Sequence, residues 1–516
     1  MEEKILVQTK CGSVEGSIVG QYAQFKGIPF AKAPRFGAPG PVSWDGVLEC
    51  HHFGKKAMQV FDVVMPWSKP QTRDEFDEDC LNLNIYVPQK GFRRPGKIAD
   101  CDGGQASAGK ADSKAPGGGL PVLIEVHGGA FQNGSNQSHT PETMIRDHSF
   151  IYVPLNYRLG VFGFLGGNYG MMDLMAGIRW VYENISAFGG DPERITLLGS
   201  SAGAKAIGAL MCTPDLKKYV HQIILSSGAT QSIRDQKTAQ AIKGQYMKIL
   251  SEVAGIDPAD ESALMDLPAD TLIAAQKILC DNPGNTCMFG PVADGAFLPL
   301  NWQELAKGGT LWEGRAMVGS SLHELAFYKL FNSDFSASAP RIADCLFGTN
   351  AGIVRADFEA CAMAYEKAHG TQLPPEQAGD AWVRILTDYM YRTYSYRLAG
   401  RLAAKGCQVW QYSAEFSPAL HCFDQTLAFE VLMPATFNGK EHMEKARALG
   451  EKIYAAFARF VENGNPSCHE GDPSVPQWLP LNPAHPAQMI WDEQCQYRPI
   501  EASEVLQGIG EAVYQL

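Results

Sequence analysis

A chain of 516 residues, of which 45% are hydrophobic, is long enough to bury a large core and too apolar to be a disordered protein. Its formal charge of −12 argues against a nucleic-acid partner, because binding to phosphates needs a basic surface. No run of about 18 apolar residues occurs, so the sequence predicts no membrane span.

The N-terminus lacks the basic and apolar regions of a signal peptide, and the 13 cysteines are scattered without C-x-x-C pairs. Both features favour reduced thiols and a cytoplasmic location. A secreted protein that has already lost its signal peptide would look the same, so secretion of a processed form stays open.

The first 30 residues predict a meander of short strands. Apolar segments at residues 5–8, 12–18 and 22–25 are separated by turns that contain glycine. Residues 81–87 alternate between apolar and polar side chains, which is the period of a half-buried strand, and Pro88 is expected to end it.

Residues 91–119 differ from the rest of the chain in having almost no large apolar side chain. We predict that they form a flexible insertion within a single domain of residues 1–516. The insertion contains the glycine and lysine spacing of a phosphate-binding loop at residues 104–110, but Ala111 stands where a hydroxyl group is needed. We therefore expect no nucleotide there.

Beyond residue 120, strand-like and helix-like segments alternate. Helical spacing of apolar residues is found at residues 173–187 and 449–460, and Gly464 and Pro466 are expected to end the second helix. Such alternation predicts an α/β fold with a doubly wound, mostly parallel sheet, whose ligands lie at the carboxyl ends of the strands. The predicted buried strands are residues 121–126, 150–153, 195–198, 223–225, 316–318 and 408–412.

A G-x-S-x-G pattern at residues 199–203 is centred on Ser201. By itself the pattern is common in ordinary turns. Here a predicted strand precedes it and helix-forming residues follow, which is the setting of a nucleophile elbow. Glycines let strand and helix approach closely, and the N-terminus of the new helix faces the site where negative charge develops. We therefore predict that Ser201 is a nucleophile.

Residues 127–131, His-Gly-Gly-Ala-Phe, directly follow the predicted strand at 121–126. Adjacent glycines allow backbone N–H groups to point into a cavity instead of a sheet ladder. Each such donor stabilises an oxyanion by about 3–4 kcal/mol. A flexible turn is the alternative, but together with Ser201 the segment favours an oxyanion hole.

The base and the acid must be chosen from 12 histidines and 56 acidic residues, and composition does not choose between them. Enzymes with a nucleophile elbow have the chain order Ser, then Asp or Glu, then His. Glu324 follows the strand at 316–318, and His421 lies in a loop after the strand at 408–412. His323 is a rival base, although its adjacency to Glu324 would send the two side chains in different directions.

The chain resembles the type B carboxylesterase/lipase family, which includes the cholinesterases and has the α/β-hydrolase fold. The resemblance implies a large central, mostly parallel twisted sheet flanked by helices, with an N-terminal strand meander and helical lid or cap insertions. The motifs that carry it are residues 25–31, 78–84, 127–131, 156–160, 188–192, 199–204 and 464–466.

The resemblance also implies roles for individual residues. His421-x-x-Asp424 is similar to the loop that holds the family's histidine. The implied roles are Ser201 as nucleophile, His421 as general base, Glu324 as orienting acid, the backbone N–H groups of Gly129, Ala130 and Ala202 as oxyanion hole, Ser227 as a supporting serine near the acid, and Arg35 with Glu78 as a buried structural ion pair.

The chain departs from the family pattern at two positions near these motifs. Ser200, which we also place among the supporting residues, stands where the family commonly has glutamate, so one negative charge beside the nucleophile is missing. Cys80 matches a disulfide position of the family, but its expected partner region near Met58 holds no cysteine. We therefore expect Cys80 to be a free thiol.

We expect a carboxylic-ester hydrolase that forms an acyl-enzyme on small to medium esters and needs no cofactor or metal. The expected partner is a small-molecule ester, with no nucleic acid and no membrane, and the protein is expected to be a monomer or a homodimer. Two alternatives stay open. One is a catalytically inactive, cholinesterase-like binding protein, and the other is an amidase or carbamate hydrolase on the same scaffold.

Overall fold

The computed structural model describes residues 3–60, 71–89, 118–281, 288–330, 379–432 and 436–501, with short pieces at 363, 366–367, 370, 505 and 509–511. Apart from its last two residues, the insertion predicted at 91–119 lies outside the described residues. Its flexibility therefore stays a prediction.

Thirteen strands of the described part of the chain form one sheet, in the order β1-β2-β3-β7-β9-β8-β10-β11-β12-β13-β14-β15, with β4 beside β2. Neighbouring strands from β9 to β14 in this order are parallel. The other neighbours in this order are antiparallel, and β4 pairs in parallel with β2. The strands of the sheet are β1 (Glu3–Gln8), β2 (Ser13–Val19), β3 (Tyr22–Pro29), β4 (Val47–Glu49), β7 (Asn82–Pro88), β8 (Leu120–Val126), β9 (Ile151–Leu155), β10 (Gly190–Ser200), β11 (Gln222–Ser226), β12 (Arg315–Ser321), β13 (Gln408–Ala414), β14 (Ala487–Trp491) and β15 (Gln496–Pro499). A separate small pair consists of β5 (Lys56–Ala57) and β6 (Phe76–Asp77).

Helices cover both faces of the sheet, as the alternation of elements predicts. The α-helices are α1 (Pro141–Met144), α2 (Gly160–Phe164), α3 (Tyr169–Asn184), α4 (Ala202–Leu210), α5 (Gln236–Ala254), α6 (Ala263–Asp266), α7 (Ala269–Cys280), α8 (Trp302–Lys307), α9 (Gly379–Thr387), α10 (Thr393–Ala404), α11 (Phe423–Ala428) and α12 (Gly439–Asn463). Short 3-10 turns lie at Arg73–Glu75, Ile185–Phe188, Leu216–Lys218 and Glu324–Leu330, and a π-helical turn at Asp388–Arg392 joins α9 to α10. Helices α5–α8 are inserted between β11 and β12, and α9 and α10 between β12 and β13.

The two faces of the sheet pack against two hydrophobic clusters, because successive side chains of a strand point to opposite faces. On β10, Leu197 belongs to the cluster that includes α3 and α4, whereas Leu198 belongs to the cluster that includes α12. On β12, Val318 and Met317 divide in the same way. The predicted α/β architecture, with a mostly parallel sheet buried between helices, is confirmed.

The strand predicted at residues 81–87 is buried on both sides, so the expectation of a half-buried strand was wrong. Its polar side chains face the interior and are hydrogen-bonded there. Asn84 accepts from the backbone N–H of Gly27 at 2.9 Å and donates to the carbonyl oxygen of Asn136 at 2.9 Å. Alternating polarity therefore indicates a buried amide network here, not a solvent-facing side.

The predicted ion pair between Arg35 and Glu78 forms, with 2.8 Å between Arg35 Nε and Glu78 Oε2. It is only partly buried, since 14% of the Arg35 side chain and 32% of the Glu78 side chain are exposed, so the prediction of a buried pair needs correction. Arg35 also donates to the carbonyl oxygens of Leu264 and Leu267. The arginine thereby ties the N-terminal region to the inserted helices.

Within the described residues, Cys80 and seven other cysteines are free thiols, as expected for Cys80. Burial raises the pKa of the Cys80 thiol. Within the described part of the chain, no helix combines the length and the apolar character that crossing a membrane would require.

Candidate active site

Ser201 lies at a sharp turn between β10 and α4, with φ of 52° and ψ of −117°. The two glycines of the pattern are required by close contacts around this turn. A Cβ atom on Gly203 would lie 2.0 Å from the carbonyl oxygen of Val126, and one on Gly199 would lie 2.6 Å from the backbone nitrogen of Ala204. The turn thus holds Ser201 in a conformation that is rare for a residue other than glycine.

The structure brings the three predicted catalytic side chains together. Nε2 of His421 lies 2.8 Å from Oγ of Ser201, and Nδ1 of His421 lies 2.5 Å from Oε2 of Glu324. Glu324 is fully buried, and its other oxygen accepts from the backbone N–H of Ser321 at 2.7 Å. His421, and not its rival His323, is therefore the histidine beside Ser201.

This hydrogen-bond chain determines what the imidazole can do. With Nδ1–H donating to Glu324, a neutral His421 presents Nε2 as an acceptor toward the Ser201 hydroxyl. Burial alone lowers the pKa of His421, but the adjacent Cys422 and the Glu324 carboxylate outweigh it, and the net pKa is raised above that of an ordinary histidine. The Glu324 carboxylate therefore favours the protonated form of the His421 imidazole.

Asp424 anchors the loop that carries His421. It is fully buried and accepts hydrogen bonds from Oγ of Ser226 at 2.7 Å and from the Tyr412 hydroxyl at 2.8 Å. Burial raises the pKa of Asp424 to about 6, against the lowering effect of those two hydroxyl donors. The spacing His421-x-x-Asp424 was visible in the sequence, but its contacts with β11 and β13 were not.

Ser227 supports the loop that carries His421. It follows β11 with φ of 54°, and its hydroxyl accepts from the backbone N–H of Cys422 at 3.2 Å. Its expected position near the acid stays a prediction. The loop is also held by Oγ of Ser321, which accepts from the N–H of Phe423 at 3.0 Å.

Three successive residues of the predicted oxyanion loop have positive φ: 106° at Gly129, 54° at Ala130 and 61° at Phe131. A Cβ atom on Gly129 would lie 2.0 Å from the carbonyl oxygen of Asn133, so glycine is required there. The loop is fixed at its end, where the carbonyl oxygen of Phe131 accepts from the N–H of Gly160 at 2.7 Å. The sequence thus folds into a strained, immobilised turn at the end of β8.

The oxyanion loop lies directly against the serine. A Cβ atom on Gly128 would be 3.3 Å from Cβ of Ser201 and 3.4 Å from Oγ of Ser200. Among the described residues, none accepts a hydrogen bond from the N–H groups of Gly129, Ala130 or Ala202. These three donors are therefore left for a ligand, with the half-buried, uncharged Ser200 beside the loop.

Two side chains around His421 were missed by the sequence analysis. The ring of Tyr391, in the π-helical turn, packs on the His421 ring with centroids 4.8 Å apart. The buried Lys205 of α4 places Nζ 4.6 Å from the centroid of the same tyrosine. No motif marks either residue, because α4, the π-helical turn and the histidine loop are far apart in the chain.

Within the described residues, no group of three or more His, Cys, Asp or Glu side chains is arranged to hold a metal ion. The chemistry that this site can perform is acyl transfer. It has an oriented hydroxyl group, an imidazole placed to take its proton, a carboxylate behind the imidazole and free N–H groups beside the hydroxyl.

Comparisons with known proteins agree with this geometry. The model of the carboxylesterase family matches residues 3–505. The para-nitrobenzyl esterase of Bacillus subtilis is 28% identical over 491 residues, which cover 90% of each chain. Liver carboxylesterase 1 of Oryctolagus cuniculus is 25% identical over 521 residues, which cover 90% of this chain and 86% of the relative.

Solved structures give the same result. The crystal structure of the Geobacillus stearothermophilus carboxylesterase EST55 superposes with a TM-score of 0.76 at 27% identity and covers 96% of this chain and 97% of its own. A structure of a PNB esterase superposes with a TM-score of 0.73 at 26% identity and covers 97% and 98% of the two chains. With the family match over nearly its whole length, the chain belongs to the carboxylesterase family.

Proposed function

We propose that this protein hydrolyses carboxylic esters through an acyl-enzyme formed on Ser201. The observation that carries the proposal is the pairing of His421 with both partners, at 2.8 Å from Ser201 Oγ and 2.5 Å from Glu324 Oε2. The carboxylesterases among its relatives support the same class of reaction.

In the first half of the reaction, Nε2 of His421 takes the hydroxyl proton as Oγ of Ser201 attacks the ester carbonyl carbon. The carbonyl oxygen becomes an oxyanion, which receives hydrogen bonds from the N–H groups of Gly129, Ala130 and Ala202. The bond to the alcohol oxygen then breaks, and the imidazolium gives its proton to the departing alcohol. Glu324 holds the imidazole in the required tautomer throughout.

In the second half, a water molecule enters the place of the alcohol. His421 removes its proton while the water oxygen attacks the acyl carbon of the ester on Ser201. The second oxyanion uses the same N–H donors. When it collapses, the bond from the acyl carbon to Oγ breaks, Ser201 regains its proton from His421, and the carboxylic acid leaves.

We further infer that residues 1–516 form one domain, because a single sheet runs from β1 to β15 within the described residues. The net charge of −12 supports a protein without a nucleic-acid partner, and eight free cysteines among the described residues support the cytoplasm as its compartment. The proposed substrates are small to medium esters, hydrolysed by a monomer or a homodimer.

The proposal is tested by Ser201→Ala with p-nitrophenyl acetate as substrate. We expect kcat to fall by a factor of about 10⁴ or more, because removal of a triad member leaves only the contribution of the oxyanion hole and binding. Ser251→Ala is the matched control, since the Ser251 hydroxyl only donates to the carbonyl oxygen of Lys248 within α5. Circular dichroism should be unchanged in both variants.

A fluorophosphonate probe gives a second readout that does not depend on the choice of ester. It should label the wild-type protein and Ser251→Ala at Ser201, but not Ser201→Ala. Turnover of Ser201→Ala close to that of the wild type, or labelling at another serine, would disprove the proposal. A parallel series of p-nitroanilides distinguishes an esterase from an amidase on the same triad.

A further inference from the structure

A cavity of about 400 Å³ lies at the end of the sheet opposite to Ser201. One wall is formed by Arg315 and Gln408, the first residues of β12 and β13. Another is formed by the end of α12 and the loop that follows it. Because Glu324 follows the other end of the seven-residue β12, about 20 Å of strand separates this cavity from the triad.

The charged groups of the cavity are mainly basic. Arg315 and Arg459 both line it, together with His469, and Glu470 is the one acidic residue among the described residues that line it. Nε of Arg315 donates to Oε1 of Gln408 at 3.0 Å, which orients its guanidinium at the cavity edge. A cavity of this size with two guanidinium groups has the volume and the charge to hold a small anion.

The guanidinium of Arg459 has no partner in the described part of the chain. Arg459 makes no hydrogen bond or ion pair with any of the described residues, and it is only half-exposed. A partly buried, unpaired charged group is costly, so native structures supply an acceptor.

The helix end does not account for Arg459. A basic residue near the C-terminus of a helix can serve to cap the last carbonyl groups. In α12, however, these oxygens have other donors. Gly464 N–H donates to Phe460 O at 2.8 Å, Gln222 Nε2 to Val461 O at 3.4 Å, and Arg194 Nη2 to Glu462 O at 2.5 Å.

We propose that this cavity is a binding site for a small anion that carries a carboxylate or phosphate group. Arg315 and Arg459 hold the charged group. The apolar side chains of Trp410, Trp478 and Leu479 line the same cavity and provide a surface for the uncharged remainder of an organic anion. The site is separate from the proposed hydrolysis at Ser201 and does not depend on it.

The test uses the full-length Ser201→Ala variant, so that no acyl-enzyme forms, with sodium benzoate and inorganic phosphate as separate probes in isothermal titration calorimetry. We expect at least one probe to bind saturably, with a change in tryptophan fluorescence. Arg459→Gln and Arg315→Gln, each added to Ser201→Ala, should weaken this binding by roughly tenfold or more, because each removes charge-assisted hydrogen bonds. Arg73→Gln is the matched control, as Arg73 pairs with Asp270 on the surface.

The two probes distinguish the sources of the anion. If only benzoate binds, the ligand is an organic carboxylate. If only phosphate binds, the ligand carries a phosphate group. Either result supports the site. If neither probe binds, the cavity is not an anion site and the proposal is wrong. It is equally wrong if both arginine variants, shown by circular dichroism to be folded, bind as strongly as Arg73→Gln does.

Discussion

The two ends of the parallel strands differ in where the backbone is strained. Of the ten non-glycine residues with positive φ among the described residues, six lie in the loops that follow β8, β10, β11 and β13 at their carboxyl ends. They are Ala130, Phe131, Ser201, Ser227, Ala419 and Cys422. Such conformations cost roughly 1–3 kcal/mol each and persist only where the surroundings enforce them. Strain is thus concentrated where side chains and N–H groups must be presented to a substrate.

The two ends also differ in what holds their charged side chains. At the carboxyl ends, Glu324, His421 and Asp424 are hydrogen-bonded to one another or to neighbouring hydroxyl and N–H groups. At the amino ends, Arg459 has no hydrogen-bond or ion-pair partner within the described residues. The protein itself holds the first set of charges, whereas the Arg459 charge is available to the anion proposed for the cavity. The following variants test this division.

The largest effect among these variants is expected at the carboxyl end of β8, for Gly129→Ala. The new Cβ atom would meet the carbonyl oxygen of Asn133 at 2.0 Å, at a residue whose φ is 106°. The loop must shift, which moves the N–H groups of Gly129 and Ala130 away from the oxyanion. We expect kcat for p-nitrophenyl acetate to fall by about 10²–10³ with little change in KM.

The matched control for this variant is Gly255→Ala. Gly255 ends α5 with φ of 67°, and a Cβ atom there would have no neighbour within 4 Å. Alanine at this position therefore adds the strain of a left-handed backbone but collides with no neighbour, and it lies far from Ser201. We expect kcat of Gly255→Ala to equal the wild-type value. If Gly129→Ala keeps kcat within about tenfold of the wild type, the N–H groups of this loop are not the oxyanion donors.

The strands and the turn at Ser201 were predictable because residue patterns close together in the sequence determine them. Hydrophobic runs located the parallel strands, and the glycines around Ser201 identified the elbow because no side chain fits at Gly199 or Gly203. Burial that depends on partners elsewhere in the chain was not predictable. The polar face of β7 was taken for a solvent-facing side because the hydrogen-bond partners of Asn84 lie far away in the sequence.

The three side chains of the proposed triad were predicted from chain order and family resemblance, whereas the contacts that support them were not. Tyr391 packs on His421 through a π-helical turn that no composition signal marks. Ser227 points to the histidine loop because of a positive φ at a residue that is not glycine. Tertiary packing imposes the positive φ at such residues, so a pattern of residue types does not predict it.

A smaller and pH-dependent effect is expected for Asp424→Asn. Burial raises the pKa of Asp424 from 3.8 to about 6, so its ionisation destabilises the folded state. This cost is absent below pH 3.8, grows between pH 3.8 and 6, and is complete above pH 6, at roughly 3 kcal/mol. Asparagine is neutral throughout. The thermal midpoint of the variant relative to the wild type should therefore rise as the pH increases from 4 to 7.

Asp45→Asn serves as the control, because Asp45 is exposed and its replacement removes the same charge from the surface. Its midpoint relative to the wild type should not rise in the same way. Turnover of Asp424→Asn should fall by no more than about tenfold, since an amide can still accept one of the two hydroxyl hydrogen bonds. A relative midpoint that is flat or falls with pH would show that Asp424 is not held as a buried, high-pKa carboxyl.

The smallest effect on turnover is expected for Gly190→Ala, at the amino end of the strand that ends beside Ser201. A Cβ atom there would lie 2.6 Å from Cγ1 of Ile185 and 3.1 Å from Cδ1 of Ile151. These contacts are with side chains, which can shift, so we expect a loss of about 1–3 kcal/mol in stability and a lower thermal midpoint. Below that midpoint, kcat should equal the wild-type value, because β10 carries no strained residue between Gly190 and the elbow. A reduced kcat in the folded variant would mean that packing at the amino end controls the geometry of Ser201, and the two ends could not be treated as independent.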